Sequence, residues 1–373
     1  MKTRIATAVL AAALLTACAR DPQPASLPPA PSATSTATST AVAEPCASVI
    51  TRMSERERLA QLLVVGVDPA DPDAAVRLVR EQQVGGVFIG GNATALLRNN
   101  ALDAVQHAAR WGVSIAVDEE GGRVQRIDEL DGTLPSARTM ARTKTVDQVR
   151  AAGRERGAQL RARGVTVDFA PSLDVSSQPD DGPIGDRSFS SDPAVVRAYG
   201  LAFAAGLRDA GITPVFKHFP GHGHAEGDSH AGQVTTPALA SLRTVDLVPY
   251  QDVAGFDGGA VMVGHLTVPG LTDGVPASLS PAAYRLLRED YHFTGPVLTD
   301  DLGAMKAITG TYRLPDAVLH ALLAGADQAL WSSGGNVSAV LDRLQQAVDS
   351  GELPATRVTD ALGRILPAKH ACG

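Results

Sequence analysis

Short runs of β-branched and other apolar residues recur along the chain at 62–67, 86–89, 113–117, 165–170, 214–216, 260–263, 296–298 and 328–331. Apolar runs this short and this continuous are the pattern of strands buried on both faces, as in parallel sheets. Between them lie longer stretches whose apolar positions repeat at helical spacing. In 193–210, Val195, Val196, Tyr199, Phe203 and Leu207 fall on one face. Asp192 before Pro193 marks where that helix starts, because Asp caps and Pro suits the first helical position. Further helices are expected at 73–81, 93–109, 146–163, 239–253, 281–291 and 317–324.

Eight strands alternating with helices predict an α/β fold, a single (β/α)8 TIM-type barrel, for which about 250 residues or more is usual. A doubly wound open sheet is the alternative. No Gly-rich nucleotide fingerprint follows the first strand. Polar residues instead follow nearly every strand: Asp68, Asn92, Asp118, Asp174, Lys217, His265 and Asp300. The carboxyl ends of barrel strands are where catalytic groups converge, so the barrel is also an expectation about function.

The first 45 residues break the pattern. Met1-Lys2-Thr3-Arg4, an apolar run over 5–15 and small residues before Cys18 predict a signal peptide over 1–17. Leu15-Thr16-Ala17-Cys18 resembles a bacterial lipobox, which implies a lipidated Cys18 and an exported protein tethered to the outer face of the cell membrane. The apolar run is too short to span a bilayer, so lipid chains would do the anchoring. Residues 18–45, rich in Pro, Ser and Thr, have too little apolar area to order themselves and are expected to form a flexible tether. The globular domain is then 46–373. Its two cysteines, Cys46 and Cys372, lie at its opposite ends, and in an exported protein a disulfide between them is expected. The net charge of −7 and the lack of a basic stripe with interleaved aromatics argue against nucleic-acid binding. The domain is expected to be a monomer.

The densest chemistry lies in Lys217-His218-Phe219-Pro220-Gly221-His222-Gly223-His224, followed by Asp228-Ser229-His230. His218, His222, His224, Asp228 and His230 could be metal ligands. However, Pro220 and the glycines rule out a helical ligand face, and no His-Glu-x-x-His helix is present. A phosphate cradle lacks the remaining P-loop residues. Acid/base chemistry by His230 is the third reading, since the Asp228 carboxylate two residues earlier favours the imidazolium of a general acid. No metal or other cofactor is expected.

Three other segments carry candidates. Asp118-Glu119-Glu120-Gly121-Gly122-Arg123-Val124-Gln125-Arg126 ends a strand in acids and a sharp turn, offering a carboxylate to substrate hydroxyls with Arg126 swinging back. Arg187, in Gly185-Asp186-Arg187-Ser188-Phe189, offers a rigid fork to a polar ligand. In Thr299-Asp300-Asp301-Leu302, adjacent strand side chains point to opposite sides, so one acid can face the barrel mouth while the other caps. Asp300 is assigned to the mouth, although exchanging the two offends no local rule.

These four motifs, taken in chain order, resemble the bacterial β-N-acetylhexosaminidases of glycoside hydrolase family 3, and the resemblance spans about residues 50 to 368. The resemblance implies a retaining β-N-acetylglucosaminidase acting on terminal β-linked N-acetylglucosamine in peptidoglycan-derived fragments, in cell-wall turnover. It implies Asp300 as nucleophile and His230, paired with Asp228, as general acid/base. Asp118, Arg126, Arg187, Lys217 and His218 match sugar-binding positions. Phosphorolysis of the same bond is one alternative, because a neutral His repels phosphate less than a carboxylate would. A non-catalytic sugar-binding lipoprotein is the other.

Overall fold

The computed structural model of the chain describes residues 44–333 and 336–372. The signal segment, Cys18 and the tether up to residue 43 lie outside them. The expected tether ends too late: a helix, Glu44–Arg52, begins two residues before its predicted boundary. Pro45 suits a first helical turn, and Cys46, Val49, Ile50 and Met53 behind it are buried against the domain. Among the described residues, no helix is long and apolar enough to cross a membrane.

Among the described residues, ten strands follow in chain order: β1 (Leu63–Val67), β2 (Gly86–Ile89), β3 (Ser114–Val117), β4 (Val167–Asp168), β5 (Thr213–Phe219), β6 (Val234–Thr235), β7 (Ala260–Val263), β8 (Leu266–Thr267), β9 (Val297–Thr299) and β10 (Ala329–Trp331). Eight of them form one parallel sheet in the order β10-β1-β2-β3-β4-β5-β7-β9. The ends meet through a parallel bridge between Leu298 and Gln328, and the Thr299 amide donates to the Gln328 carbonyl at 3.1 Å. The sheet thus closes into the expected barrel, with all eight predicted strands in place.

A core fills the barrel axis. Val64, Phe88, Ala116, Phe169, Val215, Ala260, Met262, Leu298 and Leu330 point inward from successive strands, as strand alternation requires. Phe88 and Phe169 stack across the axis at 5.4 Å. The other strand faces pack outward on the helices in a second, larger core. The longest helices, Val146–Ala162 and Pro193–Asp209, are both capped: Thr145 and Gln148 form a capping box, and Asp192 accepts from the Ala194 amide. Two expected helices are interrupted. Asn99 and Asn100 adopt left-handed φ of 53° and 57°, which leaves only a 3₁₀ turn and Ala101–Ala108 from 93–109. The 239–253 stretch divides into Leu239–Leu242 and a 3₁₀ segment with Pro249 in its first turn.

Strands β6 and β8 pair outside the barrel as a parallel ribbon that the sequence pattern missed. Together with the bridge between Glu226 and Thr235, it props up the histidine-rich segment after β5. At the other end of the barrel, Cys46 and Cys372 form a disulfide with Cα atoms 4.6 Å apart, joining the first helix to the chain's end.

Candidate active site

A cavity of about 600 Å³ opens at the carboxyl ends of the barrel strands. Phe88, Phe169, Met262 and Leu330, from the upper part of the axial core, contribute to its lining. All eight residues expected to act on a sugar (Asp118, Arg126, Arg187, Lys217, His218, Asp228, His230 and Asp300) line it. His224, the outermost histidine of the first cluster, does not.

One wall is a cross-braced set of charges. Lys217 Nζ lies 2.8 Å from Asp118 and 2.6 Å from Glu120. Arg187 meets the same Glu120 with both arms of its fork, at 2.8 and 2.7 Å. Arg126 closes on Asp118 at 3.5 Å. Burial pushes the Glu120 carboxyl up, but the charges of Arg187 and Lys217 outweigh it and hold the group well below the usual carboxylate range. Burial likewise disfavours the Lys217 cation, yet Asp118 and Glu120 raise its pKa overall. Glu120 is therefore a hub for two cations, and the sequence reading assigned it no role. Strand alternation was the available signal, since Asp118 and Glu120 share a face and Glu119 takes the other. Glu119 is turned away, accepting from the Arg126 and Ile127 amides and facing Arg156 at 3.7 Å.

The turn behind this wall needs its glycines. Gly121 and Gly122 have φ of 90° and 59°. A Cβ would stand 2.4 Å from the Pro135 carbonyl oxygen at the first and 2.6 Å from Ser136 Cβ at the second. The chain can double back here, and Arg126 can re-enter the cavity, only because both positions lack side chains.

His218 is set from below. It donates from Nδ1 to the buried Asp174 at 2.6 Å, and its Nε2 lies 3.4 Å from Arg187. His222 is buried beside it, ring centroids 6.0 Å apart, and burial pushes its pKa down. His224 pairs instead with Asp246 at 2.9 Å, outside the cavity. His230 pairs with Asp228 at 2.8 Å. His218, His224 and His230 thus each pair with a different carboxylate. Among the described residues, no three metal-ligating side chains are gathered as a site.

Asp300 and Asp301 differ sharply in their surroundings. Asp301 accepts from the Gly303, Ala304 and Ser332 amides and from the Ser332 hydroxyl, so its carboxylate is occupied in shaping the loop. Asp300 accepts only from the Asp301 amide among the hydrogen bonds of the described residues, and it lines the cavity. Burial raises its pKa, but neighbouring His218 and His265 and the Asp301 amide bring it below the ordinary value. Asp228 and His230 reach the same cavity from a far more open loop, with side chains 43% and 64% exposed. Two contacts tie that loop to the segment after Asp300: the Ala307 amide donates to the Ser229 carbonyl at 3.1 Å, and the Ser229 hydroxyl donates to Met305 Sδ at 3.5 Å.

This arrangement has counterparts in known proteins. Residues 54–368 match the glycosyl hydrolase family 3 N-terminal domain. The β-hexosaminidase LpqI of Mycobacterium tuberculosis is 49% identical over 98% of this chain and 96% of its own length. The crystal structure of a family 3 glycosyl hydrolase from Mycobacterium smegmatis superposes with a TM-score of 0.83 at 52% identity, covering 86% of this chain and 98% of that one. A family 3 β-N-acetylglucosaminidase from Paenibacillus does so with a TM-score of 0.80 at 30% identity, covering 86% of this chain and 63% of that one.

Proposed function

This chain belongs to glycosyl hydrolase family 3 and is a β-hexosaminidase of that family, and from that premise we propose that it releases terminal β-linked N-acetylglucosamine from peptidoglycan-derived fragments with retention of configuration. Asp300 attacks the anomeric carbon while His230 gives a proton to the leaving oxygen. The glycosidic bond breaks as the Asp300 ester forms. His230 then takes a proton from water, whose oxygen displaces Asp300 and frees the sugar. Most retaining glycosidases use two carboxylates for these roles; here an imidazole backed by Asp228 takes the second. Asp118, Arg126, Arg187, Lys217 and His218 hold the sugar, with Glu120 keeping Arg187 and Lys217 in place.

The observation that carries this proposal is a lightly bonded carboxylate, Asp300, sharing one cavity with a His–Asp pair on a separate loop. A hydrolase has no place for the sugar-binding lipoprotein alternative, which is set aside. The signal-like start and Cys18 extend the proposal: the enzyme is exported, lipid-anchored at the outer face of the membrane, and works as a monomer in cell-wall turnover.

The test is incubation with a defined wall disaccharide and with an aryl β-N-acetylglucosaminide, with and without phosphate, following the products by NMR. The β-anomer of free N-acetylglucosamine is expected first, and Asp300→Ala is expected to lose about 10⁴-fold or more in kcat. An α-anomer as first product, or an active Asp300→Ala enzyme, would sink the mechanism. A sugar 1-phosphate would replace hydrolysis by phosphorolysis, the alternative left open because a neutral histidine repels phosphate less than a carboxylate would.

A further inference from the structure

Asp174, just past β4, is fully buried and does not itself line the cavity. Four groups converge on its carboxylate. Oδ1 accepts from the His222 amide at 2.7 Å and the His218 amide at 3.3 Å. Oδ2 accepts from His218 Nδ1 at 2.6 Å and the Ser172 hydroxyl at 3.0 Å. We propose that Asp174 is a positioning residue of the reaction: it fixes the tautomer and orientation of His218, so that the Nε2 edge of that ring is the one offered to the sugar.

The argument is one of donors and acceptors. A carboxylate only accepts, so the proton shared with Asp174 is carried by His218 Nδ1. The ring's other nitrogen then looks away from Asp174, toward Arg187 at 3.4 Å and the cavity. The same carboxylate holds the backbone at both ends of the bend 218–222, so ring and bend are positioned together. Burial alone would raise the Asp174 carboxyl, but His218 and His222 outweigh it and keep the group well below its usual range. It therefore stays an acceptor.

No isosteric amide can replace it. With its oxygen on the two backbone amides, an Asn presents an NH₂ to His218 Nδ1 and forces the proton onto Nε2, donor against donor with Arg187. Flipped, its NH₂ meets the two backbone N–H groups instead. Glu120 does the corresponding work for Arg187 and Lys217, but it does so within the cavity lining. Asp174 acts entirely from behind.

The inference rests on the proposed reading that His218 touches the sugar, and the experiment separates the two. Kinetics on an aryl β-N-acetylglucosaminide are compared for wild type, Asp174→Asn, His218→Gln and the double variant, alongside thermal melts. Asp174→Asn is expected to raise KM and to lower kcat/KM by about 100-fold, the scale of a misplaced binding group. The double variant should lose no more than His218→Gln alone, because Asp174 acts through that ring. A raised KM for His218→Gln with an unchanged KM for Asp174→Asn overturns the inference and leaves the sugar contact standing; multiplying losses in the double variant also overturn it. An unchanged KM for His218→Gln overturns the sugar contact itself. Should Asp174→Asn fail to fold, ¹⁵N-histidine NMR of the wild-type enzyme decides. A proton on His218 Nδ1 at neutral pH supports the role, and a ring protonated on Nε2 alone refutes it.

Discussion

Lys217 and Lys369 stand at opposite ends of one barrel; burial disfavours the charge of both, and their neighbours decide opposite outcomes. Lys217, at the mouth, is held between Asp118 and Glu120 within 2.8 Å and keeps its charge. Lys369, at the base, follows the helix Ala355–Ala368 and turns Nζ inward onto the Gln61 side-chain oxygen and the Gly112 carbonyl. No carboxylate pairs with it among the described residues, and burial pushes its pKa down to about 7. With Ile365 and Ala368 it closes a small cavity of about 40 Å³ under the axial core. The mouth thus holds fixed charges by matching each with an opposite one, which suits a surface that grips a polar sugar. The base tolerates a lysine only where the amine can go neutral.

The sharpest way to break the comparison is to unmatch the mouth. Glu120→Gln removes the negative charge shared by Lys217 and Arg187 and turns one of its two acceptor oxygens into a donor, leaving two buried cations short of a counter-charge. Breaking a buried pair costs about 3–5 kcal/mol, so a marked fall in Tm is expected together with a rise in KM. A variant with wild-type melting and kinetics would mean that the wall is not held by its charges.

The disulfide at the base comes next. It closes a loop spanning a sequence separation of 326 residues, so reduction is expected to cost up to about 5 kcal/mol through the entropy returned to the unfolded chain. Activity at low temperature should persist, because the bond lies at the end of the barrel away from the cavity. Melting with and without reductant, beside a Cys46→Ser/Cys372→Ser variant, measures this; loss of activity before loss of fold would contradict the separation of mouth and base.

Lys369→Met gives the smallest effect and the opposite sign. The folded pKa of about 7 lies below the unfolded value. The unfolded chain therefore binds more protons from about pH 7 to about 10, and wild-type stability should rise with pH across that window. Below it the full penalty applies. The Met variant should be more stable than wild type at pH 6, where the amine is buried with its charge, with the advantage shrinking toward pH 10. An advantage that does not change with pH would show that Lys369 is charged throughout and otherwise solvated.

Much of the architecture is legible before any coordinates. All eight barrel strands lie within or across their predicted runs, because parallel strands buried on both faces are written as unbroken apolar stretches. The two-residue strands β6 and β8 are too short to leave any such trace, and Asn99 and Asn100 end a helix through left-handed conformations that spacing does not report. The candidate cavity residues were found by type and position. Glu120 is legible through strand alternation, which puts it on the face of Asp118 and opposite Glu119.

What the chain's order of residues determines by itself is the barrel, the chemistry available at its mouth, and two cysteines at the ends of the domain. Which carboxylate each histidine takes is decided only by tertiary structure. Asp228 is two residues from His230, but Asp174 is 44 residues from His218 and Asp246 is 22 from His224. The opposite states of Lys217 and Lys369 have the same origin. A side chain's charge depends on how much water it loses and which charges lie within a few ångströms, and both are set by segments far apart in the chain.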